Sequence, residues 1–263
     1  MIVVERFSER VNYEIDNHVA VISLDRPERL NAFDAAMYEG VNQAFAAFRD
    51  DDLAWVAILQ ATGDRAFSAG ADVNALDDNA KQGITTGLGA LLVDSEMVTD
   101  KPIIGAIQGY CVGEGVNLML GCDLVFADED AQFMISEVRI GVNPVDIPIK
   151  LSQRLGYAKA FSFLAPGDAK SAGWMKDAGL VETVCNSGTV RQVAQDFAQR
   201  LTRECAPLAL QAQKATLWQA SFGEAGSAKE AGEARRLMIR QSHDYTEGRQ
   251  AFLEKRTPVF RGS

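Results

Sequence analysis

The residues best placed to do chemistry lie in two glycine-containing segments. The first is Ala66-Phe67-Ser68-Ala69-Gly70-Ala71-Asp72, shortly after an apolar run at 54–60. The second is Gly109-Tyr110-Cys111-Val112-Gly113-Glu114-Gly115-Val116-Asn117-Leu118, after an apolar run at 103–107. A strand, a glycine turn and then a helix leave backbone N–H groups unpaired at the helix start. Two such turns facing one another can hold an oxyanion between two N–H donors. Spacing alone favours the plainer alternative, two tight turns that hold no ligand.

Other chemistries lack their parts. The chain has no GxxxxGK[ST], no GxSxG and no HExxH. Gly113-Glu114-Gly115 begins a GxG, but Leu118 stands where a dinucleotide fingerprint needs its third glycine. Ser68 would need a histidine as base, and neither His18 nor His243 lies in a motif segment. Cys111, Cys122, Cys185 and Cys205 form no CxxC and lie far from both histidines, so no metal site is expected. They read as reduced thiols in the core of a cytoplasmic protein.

These turns need elements to position them. Val19–Leu24 is β-rich and ends at Asp25-Arg26-Pro27, which reads as a strand and a turn. Residues 34–49 read as a helix, with Asp34 as cap and Met37, Val41, Phe45 and Phe48 on one stripe. The apolar runs at 54–60, 103–107 and 124–127 suit buried strands. Strands alternating with helices argue for an α/β layering with parallel pairs. Beyond them, 189–204, 207–220 and 227–254 read as helices. The division expected is 1–190 as a strand-containing core and 191–263 as a helical region packing on the core or a neighbour.

The whole composition fits that plan. The chain has 263 residues and 28.5 kDa, enough for one large α/β domain or two small ones. Lys and Arg total 26 against 36 Asp and Glu, a net charge of −10. So acidic a surface repels phosphate backbones, and no nucleic-acid partner is expected. No long apolar run is present, so no membrane span is expected, and no secretory leader is visible at Met1.

The order of the motifs goes further than their spacing. They are Leu24-Asp25-Arg26-Pro27-Glu28-Arg29-Leu30-Asn31-Ala32-Phe33, the Ala66–Asp72 segment and Lys101-Pro102-Ile103-Ile104-Gly105-Ala106-Ile107-Gln108-Gly109-Tyr110. Cys122-Asp123-Leu124-Val125-Phe126-Ala127, Ala131-Gln132-Phe133 and Glu247–Arg256 follow. In this order they resemble the crotonase superfamily of enoyl-CoA hydratases and isomerases. The resemblance implies a crotonase-like α/β spiral of ββα units with a helical C-terminal trimerisation region. It implies an acyl-CoA thioester as substrate, coenzyme A entering only as part of it, and a homotrimer or dimer of trimers.

Residue roles carry over in the same way. The backbone N–H groups of Ala71 and Glu114 match the family's oxyanion hole. Ala69 and the Arg29–Ala32 segment match backbone that meets the coenzyme's adenine. Phe252 and Lys255 match residues that reach the coenzyme from a neighbouring subunit. Arg29 and Lys255 read equally as ordinary surface charge. Of the hydratases' two glutamates, Glu137 matches the second, while Asn117 replaces the first. Glu114 replaces a glycine, and Val145-Asp146-Ile147-Pro148 replaces the usual glycine pair.

These departures select among reactions. Hydration needs a base for water and an acid for carbon, and Asn117 can orient a water without taking its proton. Asp146 or the Glu114 side chain could supply a second carboxylate. A double-bond shift needs one carboxylate, and Glu137 suffices for it. The expected activity is therefore isomerisation of a 3-enoyl-CoA to a 2-enoyl-CoA. The alternatives are a hydratase with an altered carboxylate pair and a non-catalytic acyl-CoA-binding member.

Overall fold

The computed structural model describes residues 3–83, 88–93, 99–223 and 225–263. Two sheets form its centre. The chain starts in a hairpin, β1 (Val3–Phe7) and β2 (Val11–Asp16), and β2 pairs antiparallel with β3 (Val19–Leu24). Asn17 and His18 both take positive φ between β2 and β3, as a tight two-residue hairpin requires. Helix α1 (Ala35–Asp50) follows, capped as expected by Asp34, whose carboxylate accepts from the Met37 N–H at 2.9 Å. Met37, Val41, Phe45 and Phe48 are all buried on its inner face.

The chain then repeats one theme. β4 (Val56–Ala61) is followed by β5 (Ala66–Ser68) and α2 (Val73–Lys81). β6 (Ile103–Ile107) is followed by β7 (Tyr110–Val112) and α3 (Glu114–Met119). β8 (Leu124–Asp128) is followed by β9 (Gln132–Met134), a 3-10 turn at Glu137–Ile140 and α4 (Asp146–Leu155). The first strand of each unit joins the large sheet and the second joins a smaller one. α5 (Tyr157–Leu164), β10 (Lys170–Ser171), α6 (Ala172–Asp177) and β11 (Thr183–Cys185) complete the body. The large sheet runs β1-β2-β3-β4-β6-β8-β11 and the small one β10-β9-β7-β5. β5, β7 and β9 are parallel neighbours. The segments that leave their C-terminal ends therefore meet at one edge, where ligands sit in α/β proteins.

Burial explains the layering. The strands from β3 to β8 pair in parallel and are buried on both faces, which is why they read as near-continuous apolar runs. One face packs on α1. The other packs on α7 (Val190–Glu204), whose Val190, Ala194 and Ala198 meet Val56, Ile58, Ile104 and Phe126. α8 (Pro207–Phe222), α9 (Ala225–Ile239) and α10 (His243–Glu254) finish the chain. The expected helix over 227–254 is thus two helices. Ser242 starts the second by accepting from the Tyr245 N–H at 3.1 Å. Residues 84–87 and 94–98 lie outside the described residues. Leu88 and Leu91 beside them pack on the core. Among the described residues no helix is long and apolar enough to cross a membrane, and no cluster of ligating side chains could hold a metal.

Candidate active site

The two glycine turns face one another. Gly70 has φ +88°, and a methyl group there would sit 3.6 Å from the Glu114 nitrogen and 3.0 Å from the Val112 carbonyl oxygen. Gly115 presses equally close to Ser68, with only 3.0 Å to its Cβ. A side chain at either site would be tight, so the two turns approach closely. The Gly70 carbonyl accepts from the Phe33 N–H, and the Asp72 N–H donates to the Phe33 carbonyl. Those bonds flank Ala71 and leave its own N–H unused. Glu114 opens α3, where an N–H has no partner within the helix. Among the described residues neither N–H has a hydrogen-bond partner.

Glu137 comes to the same place from β9. The Gly113 N–H bonds the Met134 carbonyl at 2.9 Å, and three residues later the chain turns back. A Cβ on Gly113 would collide with Oε1 of Glu137. Gly113 has φ +49°, a conformation that favours glycine. Among the described residues, Oε2 of Glu137 is buried without a hydrogen-bond partner. Burial pushes the Glu137 carboxyl above the ordinary carboxylate range, against a smaller pull from its own backbone.

Asn117 and Glu114 form a separate cluster. Asn117 is buried on α3 and donates Nδ2 to Glu114 Oε1 at 3.0 Å. Its Oδ1 accepts from Lys150 Nζ at 2.6 Å. Each end of the amide thus makes one bond, which fixes the Asn117 side chain between Glu114 and Lys150. Glu114 also meets the phenol of Tyr38, which α1 presents. Burial raises the Glu114 carboxyl; Asn117, Lys150 and Tyr38 pull it down, and Asp146 adds repulsion. Burial and Glu114 together hold the Tyr38 phenol well above its usual range, so it stays a proton donor. Asp146 is exposed at the start of α4.

The remaining candidates divide. Arg29 is exposed on a 3-10 turn, Pro27–Arg29. Ala69 gives its N–H to the Leu30 carbonyl at 2.9 Å, and Ala32 accepts from Arg26. A cavity of about 280 Å³ opens beside them, lined by Pro27, Leu30, Asn31 and Gly63–Ala66. Phe252 and Lys255 lie at the end of α10, and Phe252 is 83% exposed. No hydrogen bond or ion pair among the described residues joins either to the Ala71–Glu114–Glu137 group within one chain. Ser68 is fully buried; its hydroxyl donates to the Asn31 carbonyl at 2.8 Å and accepts from the Gly70 N–H. That leaves nothing for nucleophilic work.

Sequence reasoning passed over the residues that hold these turns together. Arg26 ion-pairs Asp72 at 2.7 Å and Asp34 at 3.4 Å. Burial alone would raise Asp72, but Arg26 and the Ala75 and Asn74 N–H groups hold it below the ordinary range. Buried Asn31 donates to the Thr62 and Ala66 carbonyls at 3.0 Å each. Both residues stand inside quoted motifs, which was the available signal. Tyr38 and Lys150 carried none, because only tertiary packing brings them to α3.

Fold and geometry together define an α/β spiral in which the backbone amides of Ala71 and Glu114 lie close together, with the Glu137 carboxyl against Gly113 beside them. The family described as Enoyl-CoA hydratase/isomerase matches residues 14–263. The chain is 31% identical to (E)-benzylidenesuccinyl-CoA hydratase of Thauera aromatica, covering 96% of this chain and 99% of that one. It is 34% identical to 2,3-dehydroadipyl-CoA hydratase of Escherichia coli, covering 93% and 95%. Its structure is similar to that of a probable enoyl-CoA hydratase/isomerase from Mycobacterium abscessus, with a TM-score of 0.87, 29% identity and coverage of 97% and 100%. The chain belongs to the enoyl-CoA hydratase/isomerase family of the crotonase superfamily, whose members are acyl-CoA enzymes.

Proposed function

We propose that this protein shifts the double bond of a 3-enoyl-CoA to the 2-position. The observation that carries the reading is a carboxyl standing alone at the paired amides. The charges that act on Glu114 are Lys150 and Asp146; Glu137 answers only to its own burial and backbone. Glu114 is drawn into the cluster with Tyr38, Asn117 and Lys150, which supports Glu137 acting without it. In this reading the Ala71 and Glu114 N–H groups hold the thioester oxygen. Glu137 takes a proton from carbon 2, and the electron pair moves onto that oxygen as an enolate. The enolate collapses as the same carboxyl returns its proton to carbon 4. No atom is gained or lost. A positioned base contributes about 10²–10⁴-fold, and each amide donor about 2.7–4 kcal/mol.

The coenzyme part of the substrate fits along Ala69 and the Arg29–Ala32 segment, with the small cavity by Pro27 and Asn31 as a place for the adenine. Phe252 and Lys255 would reach it from a second copy in a trimer. A second reading, hydration of a 2-enoyl-CoA, draws on the Glu114 carboxyl held by Tyr38 and Asn117. The two relatives, both hydratases, favour it too. The test is to give the protein 3-enoyl-CoA and 2-enoyl-CoA separately and identify the products. Isomerisation predicts 2-enoyl-CoA from the first and little 3-hydroxyacyl-CoA from the second. Rapid 3-hydroxyacyl-CoA formation from the second would transfer the proposal to hydration. Binding without turnover of either would leave a non-catalytic acyl-CoA-binding protein.

A further inference from the structure

The residue that offers the second amide carries a carboxylate of its own. Glu114 presents its N–H beside Ala71, and its side chain is half-buried at the same place. An enolate oxygen held there stands within one side-chain length of that carboxylate. Like charges so close repel, the more so where water is scarce. Asp146 adds to the negative charge felt at Glu114, on a chain whose net charge is already −10. Glu137 does not add to it, because in that step it holds the proton it has taken from carbon 2. A site that gathers negative charge on one oxygen thus has an opposing charge on its own donor residue.

A cation stands where it can offset that charge. Asn117, one turn along α3, donates Nδ2 to Glu114 Oε1 at 3.0 Å and so draws the carboxylate along the helix. Lys150 lies behind Asn117. Its Nζ donates to Asn117 Oδ1 at 2.6 Å and to the Asn117 carbonyl at 3.3 Å. Ile147 and Leu151, buried on either side of Lys150 along α4, fix the helix that carries it. The amide oxygen faces the ammonium and the amide N–H faces the carboxylate, so the three groups form one polarised chain. Lys150 is half-buried, and its charge is screened less than on an open surface. Together with Asn117 and Tyr38 it pulls the Glu114 carboxyl down against its burial.

We propose that Lys150 is a positioning residue for the amide pair. Acting through Asn117, it offsets the Glu114 carboxylate and so lets the Ala71 and Glu114 N–H groups accept a negatively charged oxygen. This role rests on the reading of those two N–H groups as the holders of the thioester oxygen. It holds for isomerisation and for hydration alike, since both place negative charge on that oxygen. A neutral thioester oxygen gains little from Lys150; an enolate oxygen gains much more.

The test is binding, which needs no double-bond chemistry. A 3-ketoacyl-CoA, whose enolate absorbs in the near ultraviolet, is titrated into the full-length protein beside the saturated acyl-CoA of the same length. The parent is expected to bind the first as its enolate. Lys150→Met should weaken enolate binding about tenfold or more and saturated-thioester binding by less than about threefold. Lys150→Arg should keep most of the parent's affinity. Lys150→Gln, which keeps a donor without the charge, should lose nearly as much as Lys150→Met. Glu114→Gln keeps the amide N–H and removes the carboxylate. In that background Lys150→Met should cost the enolate less than about threefold, because the charge it offset is gone. Equal losses for the two ligands overturn the proposal, since a purely structural role would give them. So does a Lys150→Met loss of the same size with and without the Glu114 carboxylate. Absence of the enolate band in the parent overturns the reading of the amide pair itself, and the role of Lys150 with it.

Discussion

At the scale of single residues, the account turns on what burial does to Glu137. Its folded carboxyl holds a proton more tightly than it does in the unfolded chain, because burial penalises the charged form. Stability linked to that proton is present below the ordinary carboxylate range and is lost as pH rises through the raised value. Glu137→Gln should therefore melt higher than the parent at neutral pH, by about 1–3 kcal/mol for an unpaired buried oxygen. The gap should close on acidification, as thermal unfolding across pH will show. The same shift governs the rate. A base must be deprotonated, so the acid limb of the pH–rate profile should lie above the ordinary carboxylate range. The two amides were legible because each sits in a glycine-containing segment, and Glu137 because it follows Ala131-Gln132-Phe133 by four residues. Asn117 was legible as a replacement but not as a partner of Lys150 and Glu114. A one-dimensional pattern does not say which α4 side chain will face α3.

At the scale of elements, most strands and helices announced themselves through apolar runs and caps. Those that did not had a physical reason. β5, β7 and β9 are three residues each, too short for any period to show. β2 does alternate, with Val11, Tyr13 and Ile15 buried, but Asn17-His18 closes its hairpin without the usual glycine. The break at Ser242 was hidden because α9 and α10 share a similar composition. Two predictions belong here. Gly113→Ala would force a Cβ against Glu137 in a backbone conformation that favours glycine, at about 1–3 kcal/mol. It should lower kcat by about 10²-fold or more, as displacing the Glu137 base does, while circular dichroism stays folded. Asp244 is buried at the start of α10 and accepts from the Arg261 and Gly262 N–H groups at 2.8 Å each. Gly262 in turn lies against Trp55 of the body. Asp244→Ala should cost about 1.5–3 kcal/mol for each bond to the charged group. Limited proteolysis should then cut the C-terminal residues first.

At the scale of the whole molecule, the helical end carries more apolar surface than its own chain covers. Leu237, Met238, Phe252 and Leu253 are 58%, 72%, 83% and 77% exposed. Patches of that kind mark interfaces. Sedimentation should give a closed oligomer, with a trimer as the expected mass. A monomer at micromolar concentration would contradict the placement of Phe252 and Lys255 beside a neighbour's coenzyme. Lys255→Ala should weaken coenzyme A binding more at low salt than at high salt, since an exposed phosphate contact is screened. The most direct measurement of the central claim is the turnover of 3-enoyl-CoA by Glu137→Gln beside Asn117→Ala and Asp146→Asn. The account predicts a fall of about 10²–10⁴-fold in kcat for Glu137→Gln, with thioester binding retained. It predicts much smaller losses for the other two. Near-full activity of Glu137→Gln, with activity abolished by Asp146→Asn, would contradict it.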